Sequence, residues 1–299
     1  MSLNDFKYII FDCYGTLCDW ESGIYTALQP LLSRSLTAKD WTRQHALETF
    51  TQIELDLQST HPTMLYSDLL AAAHGVLRRS LQSDASAEEA TSAEETTSAE
   101  ETTSAQETTP TKEDKVFGAS IKDWPIFPDT VPALRTLAKT YKLVILSNVD
   151  KQSFGHTHVQ LCHSTAPPNI EAYMPPTSGL WLPSATPGID SPFTLILTAQ
   201  DTGAYKPSLI GFCATLSTLS FLEGSEIKPH EVLSVAQSLV HDHTPAHEMG
   251  MHPGVWIDRD GAVMGLLGDR EREGLYGWRF GTLGEFAGAV EEEENNLAK

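Results

Sequence analysis

Near its start the chain runs Phe6-Lys7-Tyr8-Ile9-Ile10-Phe11-Asp12-Cys13-Tyr14-Gly15-Thr16-Leu17. Tyr8 to Phe11 are apolar without alternation, the pattern of a strand covered on both faces, hence an interior strand of a parallel sheet. Asp12 then falls at the strand's carboxyl end, where open α/β sheets place their ligands. A carboxylate has no packing reason to be there; it must be hydrogen-bonded, paired or chemically used. The pattern recurs. Tyr141 to Leu146 ends in Ser147-Asn148, Phe193 to Leu197 is followed by Lys206, Glu231 to Ala236 by Asp242, and Gly254 to Asp258 makes a fifth strand. Helical stretches lie between them: Val131 to Thr140, Pro207 through Leu219, and Pro245 to Met249. Strands alternating with helices imply an α/β fold with a doubly wound, Rossmann-like parallel sheet. Such a sheet brings Asp12, Thr16, Ser147, Asn148, Lys206 and Asp242 to one edge.

The alternation stops between residues 20 and 121. Trp20–Leu32, Ala38–Leu57 (with Thr37 as its cap) and a stretch from Pro62 through Leu77 all carry helical spacing of apolar residues. The reading is therefore a core of 1–19 and 122–299, with 20–121 inserted as an α-helical cap. Within that cap, 83–115 collapses to Ser, Ala, Glu and Thr in an imperfect repeat, with too little apolar surface to offset ordering entropy, and is expected to be disordered. It holds ten acidic and two basic residues of a chain whose formal net charge is −20. With that segment and the acidic tail Glu291 to Glu294 set aside, the remainder is only moderately acidic, which argues against a nucleic-acid partner and against an anionic membrane surface. Ser164 to Pro192, rich in Pro, Gly and Ser, reads as a long surface loop. Four cysteines without a CxxC pair, no leader-like amino terminus and no membrane-length apolar run give a reduced, soluble, cytoplasmic protein as the expectation. The sequence allows a homodimer and does not decide the oligomeric state.

Asp12-Cys13-Tyr14-Gly15-Thr16-Leu17 resembles the first motif of the haloacid dehalogenase (HAD) superfamily. Leu143 to Asn148 resembles the second motif, Gly203-Ala204-Tyr205-Lys206-Pro207 the third, and Val235 to Asp242 the fourth. With Tyr14 two residues after the aspartate, the nearest likeness is to the L-2-haloacid dehalogenase branch; phosphatases of the superfamily carry an acid there. The resemblance implies that Asp12 is a covalent nucleophile, that Ser147 and Lys206 orient and neutralise it, and that Asp242 supports Lys206 and the hydrolytic water. Trp41-Thr42-Arg43-Gln44-His45 resembles the cap helix whose arginine holds the departing halide or the substrate carboxylate. That role falls to Arg43, with Thr16, Asn148 and Tyr14 also on the substrate side.

The implied activity is hydrolysis of a short 2-halo acid, or a related small carboxylate, through an aspartyl ester. No cofactor and no metal are expected, since Tyr14 and Gln237 stand where metal-using relatives have acids. His241, His243 and His247, and likewise His156, His158 and His163, lack zinc-site spacing such as HExxH. Two rivals remain: a phosphatase of the same superfamily, and a catalytically impaired regulatory protein. Leu239 favours the second, because it stands where dehalogenases have an asparagine near the lytic water.

Overall fold

The computed structural model describes residues 1–91, 109–163, 165–251, 253–268 and 270–297, the side chains of 84–91 excepted. It divides into two compact units, one of 1–23 with 121–299 and the other of 24–120.

The first unit is built on a six-stranded sheet: β1 (Tyr8–Phe11), β2 (Lys142–Ser147), β3 (Phe193–Thr198), β4 (Val232–Ala236), β5 (Gly254–Ile257) and β6 (Tyr276–Phe280). Their order is β3-β2-β1-β4-β5-β6 and every neighbouring pair is parallel. β1 lies inside the sheet, with Phe11 level with Ile145 on one side and Val235 on the other. That register brings Asp12, Ser147 and Gln237 out at one edge. The α/β, Rossmann-like expectation is what the chain adopts. Burial on both faces explains the uninterrupted apolar runs, because successive side chains alternate between faces. Tyr8, Ile10, Val144, Leu146, Leu195 and Leu197 join one core cluster, while Ile9, Phe11, Leu143 and Ile145 are fully buried on the opposite face. Each such side chain contributes about 1.5–3 kcal/mol.

The sixth strand was not foreseen. In Tyr276-Gly277-Trp278-Arg279-Phe280 a glycine and an arginine break the apolar run, and the strand is half-buried and exposed in alternation, as an edge position permits.

In the second unit α1 (Trp20–Leu32), whose first residues lie in the first unit, is followed by α2 (Arg43–Thr60), α3 (Tyr66–Thr91) and α4 (Lys112–Gly118). α2 starts later than Ala38, because Thr42 rather than Thr37 caps it: its hydroxyl accepts the His45 N–H. The disordered span set at 83–115 needs correcting at both ends. Helix α3 continues to Thr91, and α4 begins at Lys112 behind a capping box in which Thr111 and Asp114 each satisfy the other's backbone N–H. Residues 92–108 lie outside the described residues. What orders the returning limb is Asp114, wholly buried: it accepts from Arg78 Nη2 at 3.0 Å, from Thr111 N–H at 2.8 Å, and shares a 2.7 Å bond with His74 Nδ1. Burial opposes the charge, but these donors hold the carboxyl well below the usual range.

The first unit's helices are α5 (Thr130–Leu137), α6 (Lys151–Cys162), α7 (Ala199–Thr202), α8 (Leu209–Glu223), α9 (Thr244–Glu248) and α10 (Leu283–Leu297). Phe212, Leu216 and Leu219 of α8 and Ala246 of α9 cover the cluster on the sheet. The Pro-rich 164–192 stretch is more than a surface loop. Tyr173 and Trp181 are buried, Trp181 C=O takes the Ile196 N–H of β3 at 3.0 Å, and His158 of α6 binds Tyr173 C=O and Ser191 Oγ, each at 2.8 Å. Two aromatic anchors and a buried histidine thus fasten a chain whose composition alone reads as coil. Among the described residues no helix is long and apolar enough to cross a membrane.

Candidate active site

The end of β1 and the turn after β4 meet one buried ammonium from the loop after β3. Lys206 Nζ, only 3% exposed, donates to Asp12 Oδ1 at 2.7 Å and to Asp242 Oδ1 at 2.7 Å. The second oxygen of Asp12 accepts from the Thr16 hydroxyl at 2.8 Å, and that hydroxyl in turn accepts the Gln237 N–H at 2.9 Å. Because Gln237 N–H occupies a lone pair of Thr16 Oγ1, the single hydroxyl proton is directed at Asp12. Both carboxylate oxygens are therefore held, one by a residue four positions on and the other by a residue 194 positions on.

The charges balance unevenly. Burial works against the Lys206 ammonium, yet Asp12 and Asp242 outweigh it and hold the group protonated well above the ordinary lysine range. Burial pushes the Asp242 carboxyl up to about 7; the Lys206 ammonium pulls it down and the Asp12 charge pushes it up again. His241 sits on the π-helical turn Leu239–His243, its N–H donated to Ser238 Oγ at 3.0 Å. Burial, with Lys206 next, lowers its imidazole.

The turn that leaves β1 is tightly tied. Cys13 C=O accepts from the Thr16, Leu17 and Cys18 N–H groups, and Cys18 C=O accepts from Gly15 N–H. Gly15 sits at φ +99°, and a Cβ there would meet Gln237 Oε1 at 3.1 Å and the Trp20 ring at 3.2 Å, so only glycine suits the turn. The N–H groups of Cys13 and Tyr14 have no protein acceptor among the described residues. Nor do Ser147 Oγ and Asp242 Oδ2, both buried beside the Lys206 cluster's strand ends, have a hydrogen-bond partner. Two N–H donors, one hydroxyl and one carboxylate oxygen thus lack protein partners along this edge of the sheet.

Two residues assigned to substrate take other work. Asn148 gives both ends of its amide to the Lys206 main chain, Nδ2 to the C=O at 3.1 Å and Oδ1 from the N–H at 2.7 Å, so it braces the loop that carries the lysine. Tyr14 shares a 2.8 Å hydrogen bond with Thr157 Oγ1 and packs edge-on against Trp124. Burial raises its hydroxyl well above the ordinary tyrosine value, so it keeps its proton and is no acid for a leaving alkoxide. Arg43 is the first residue of α2, half-buried in the second unit.

A divalent cation does not fit this donor set. The Asp12 and Asp242 oxygens facing inward both accept from one ammonium, and Gln237 spends its amide N–H on Met264 C=O at 2.9 Å. Magnesium needs several oxygen ligands in octahedral array, with carboxylate charge not already cancelled. Of the histidines, His158 is tied at both nitrogens, and His243 Nε2 bonds Ala236 C=O.

Sequence reasoning overlooked the segment after β5. Glu21 Oε1 accepts the Val263 and Met264 N–H groups, Gly265 C=O accepts Leu239 N–H, and Arg259 donates to Thr16 C=O. The signal was present, since Arg259 follows a strand's carboxyl end as Lys206 and Asp242 do.

A parallel sheet with its first strand inside, a carboxylate at that strand's tip and a lysine from the loop after β3 make a Rossmann-like α/β core of the HAD kind. The family model for haloacid dehalogenase-like hydrolases matches residues 6–235, and the chain belongs to that family. No curated protein sequence matches the chain. Solved structures share the fold at low identity. A dehalogenase determined as an intermediate complex has TM-score 0.61 and 16% identity, covering 94% of this chain and 96% of its own. The HAD-hydrolase YfnB from Bacillus subtilis, bound to magnesium, has TM-score 0.59 and 12% identity over 96% and 99%. The L-2-haloacid dehalogenase from Xanthobacter autotrophicus has TM-score 0.54 and 14% identity over 96% and 98%.

Proposed function

We propose that the protein is a metal-independent 2-haloacid dehalogenase that works through an ester on Asp12. One observation carries the reading: the Asp12 carboxylate is held at both oxygens by Lys206 and Thr16, while the residue two positions on is a tyrosine whose hydroxyl is turned to Thr157. That arrangement supplies a positioned nucleophile without a partner acid, which suits a halide leaving group that needs no proton and suits an alkoxide poorly.

In the first step an oxygen of Asp12 attacks C2 of the halo acid from behind. The C–O bond forms, the C–halogen bond breaks with its electron pair going to halide, and the centre inverts. The unpaired Cys13 and Tyr14 N–H groups and the Ser147 hydroxyl are the donors for the substrate carboxylate. Arg43, carried over from the motif resemblance, is the guanidinium assigned to the halide. In the second step water adds to the Asp12 carbonyl carbon and the acyl C–O bond breaks, releasing the 2-hydroxy acid and a proton and restoring the carboxylate. The unpartnered Asp242 Oδ2 is the acceptor for that water. Leu239 is fully buried where an asparagine would assist it, which favours a slow second step and is what supports the regulatory rival.

The test is turnover of (S)-2-chloropropionate in ¹⁸O water, followed by mass spectrometry of the Asp12 peptide. Label in Asp12, a halide burst equal to the enzyme concentration and loss of both in Asp12→Asn are expected. Release of phosphate from a phosphomonoester, with no label from any halo acid, would overturn the reading.

A further inference from the structure

Arg259 follows β5 and is only 7% exposed. Its guanidinium donates twice to one carbonyl, Nε at 3.2 Å and Nη2 at 2.8 Å to Thr16 C=O, and Nη1 donates to Asp129 Oδ1 at 2.8 Å. The Phe127 ring lies 4.0 Å from its carbon. Asp129, just ahead of α5, also accepts the Gly284 N–H at 3.1 Å. Burial disfavours the Asp129 charge, but Arg259 overrides it and lowers the carboxyl.

Thr16 is the residue so gripped, and Thr16 is also the donor to Asp12 Oδ2. Three neighbouring carbonyls take backbone N–H groups: Cys13 C=O three of them, Cys18 C=O that of Gly15, and Leu17 C=O that of Phe127. Thr16 C=O takes the guanidinium instead. A guanidinium buried against a half-buried carboxylate is an expensive way to hold a fold together, and apolar side chains of the same volume commonly serve stability as well or better. This one is aimed at the peptide of the residue whose hydroxyl donates to Asp12.

We propose that Arg259, anchored by Asp129 and Phe127, is a positioning residue for the nucleophile, fixing the Thr16 peptide so that its hydroxyl locks the second oxygen of Asp12. The inference rests on Asp12 being the nucleophile. An ammonium cannot reproduce the planar fork that reaches Thr16 C=O twice and Asp129 once. Arg259→Lys, which keeps the charge, therefore loosens the carboxylate without removing it.

The experiment compares wild type, Arg259→Lys, Arg259→Ala and Asp129→Asn, each checked by thermal unfolding. Two readouts are taken: the single-turnover rate of ester formation on Asp12, and the ¹³Cγ resonance of Asp12, assigned through Asp12→Asn and recorded without substrate. The expected result is a folded Arg259→Lys protein with ester formation slowed about 10- to 100-fold, KM nearly unchanged and the Asp12 resonance shifted. Guanidinium ion restores part of the rate to Arg259→Ala. A folded Arg259→Lys with wild-type ester formation and an unmoved resonance would overturn the proposal, as would a lower melting temperature alone. Should wild type form no ester with any halo acid, the nucleophile reading fails by itself. The resonance then decides the clamp, moved in its favour and unmoved against it. Where Arg259→Lys does not fold, Asp129→Asn is judged by the same two outcomes.

Discussion

Thr16 carries more of the site than its size suggests. Its hydroxyl is pinned by Gln237 N–H on one side and donates to Asp12 on the other, so its removal strands a donor and frees a carboxylate oxygen at once. A hydrogen bond to a charged group is worth about 1.5–3 kcal/mol, which converts to a loss of roughly 10- to 100-fold in kcat for Thr16→Val. Thr16→Ser keeps the hydroxyl and should recover most of the rate. Steady-state halide release from the three proteins checks this. An equal loss in the serine variant would mean that the Thr16 methyl group, not its proton, is what matters.

At the scale of elements, the return limb of the cap is the informative case. The Asp114 cluster draws on Arg78 and His74 from α3 and on Thr111 ahead of α4. Asp114→Asn leaves Arg78 without its carboxylate and should cost about 3 kcal/mol, read as a lower urea midpoint with little change in kcat per folded molecule. From the sequence this limb was indistinguishable from the repeat before it: Thr111 and Asp114 are a legible capping box, but their value comes from partners some forty residues earlier. The same holds for the 164–192 strap, whose anchors Tyr173 and Trp181 looked like stray aromatics until α6 and β3 lay beneath them. Interior strands and their terminal Asp12, Lys206 and Asp242 were readable because burial on two faces and a charge at the tip are local patterns. Arg259 stands after a strand as they do, but its work and that of Gln237 were not legible, because each is defined by a distant backbone or hydroxyl atom.

For the whole molecule, the pH dependence of stability follows from buried acids of opposite sign. Glu54 of α2, buried with Tyr66 OH on one oxygen at 2.9 Å, has its carboxyl pushed by burial from 4.5 up to about 7, with the Tyr66 bond opposing. Between those values the folded chain holds a proton that the unfolded chain has released, so stability falls as pH rises from about 4.5 to about 7 and is flat above. Asp114, lowered, works the other way, its stabilisation lost as pH falls below the ordinary carboxyl range. Asp242, pushed up to about 7 as well, adds to the same slope, so Glu54→Gln should make it shallower and raise stability above pH 7 by about 3 kcal/mol at most. Urea titrations of both proteins at pH 5 and 8 measure it; parallel curves would rule the buried proton out.

The strand order has a temporal side. During synthesis the first strand emerges long before either of its neighbours, since Tyr8 pairs with Lys142 and with Val232. Until the ribosome has delivered the former, an oily ribbon ending in an acid has nothing to lie against, and its second edge stays open until the latter follows; such late closure of distant pairs makes maturation slow. A helper that shields nascent apolar segments should therefore raise the yield of this polypeptide in a cell-free translation system.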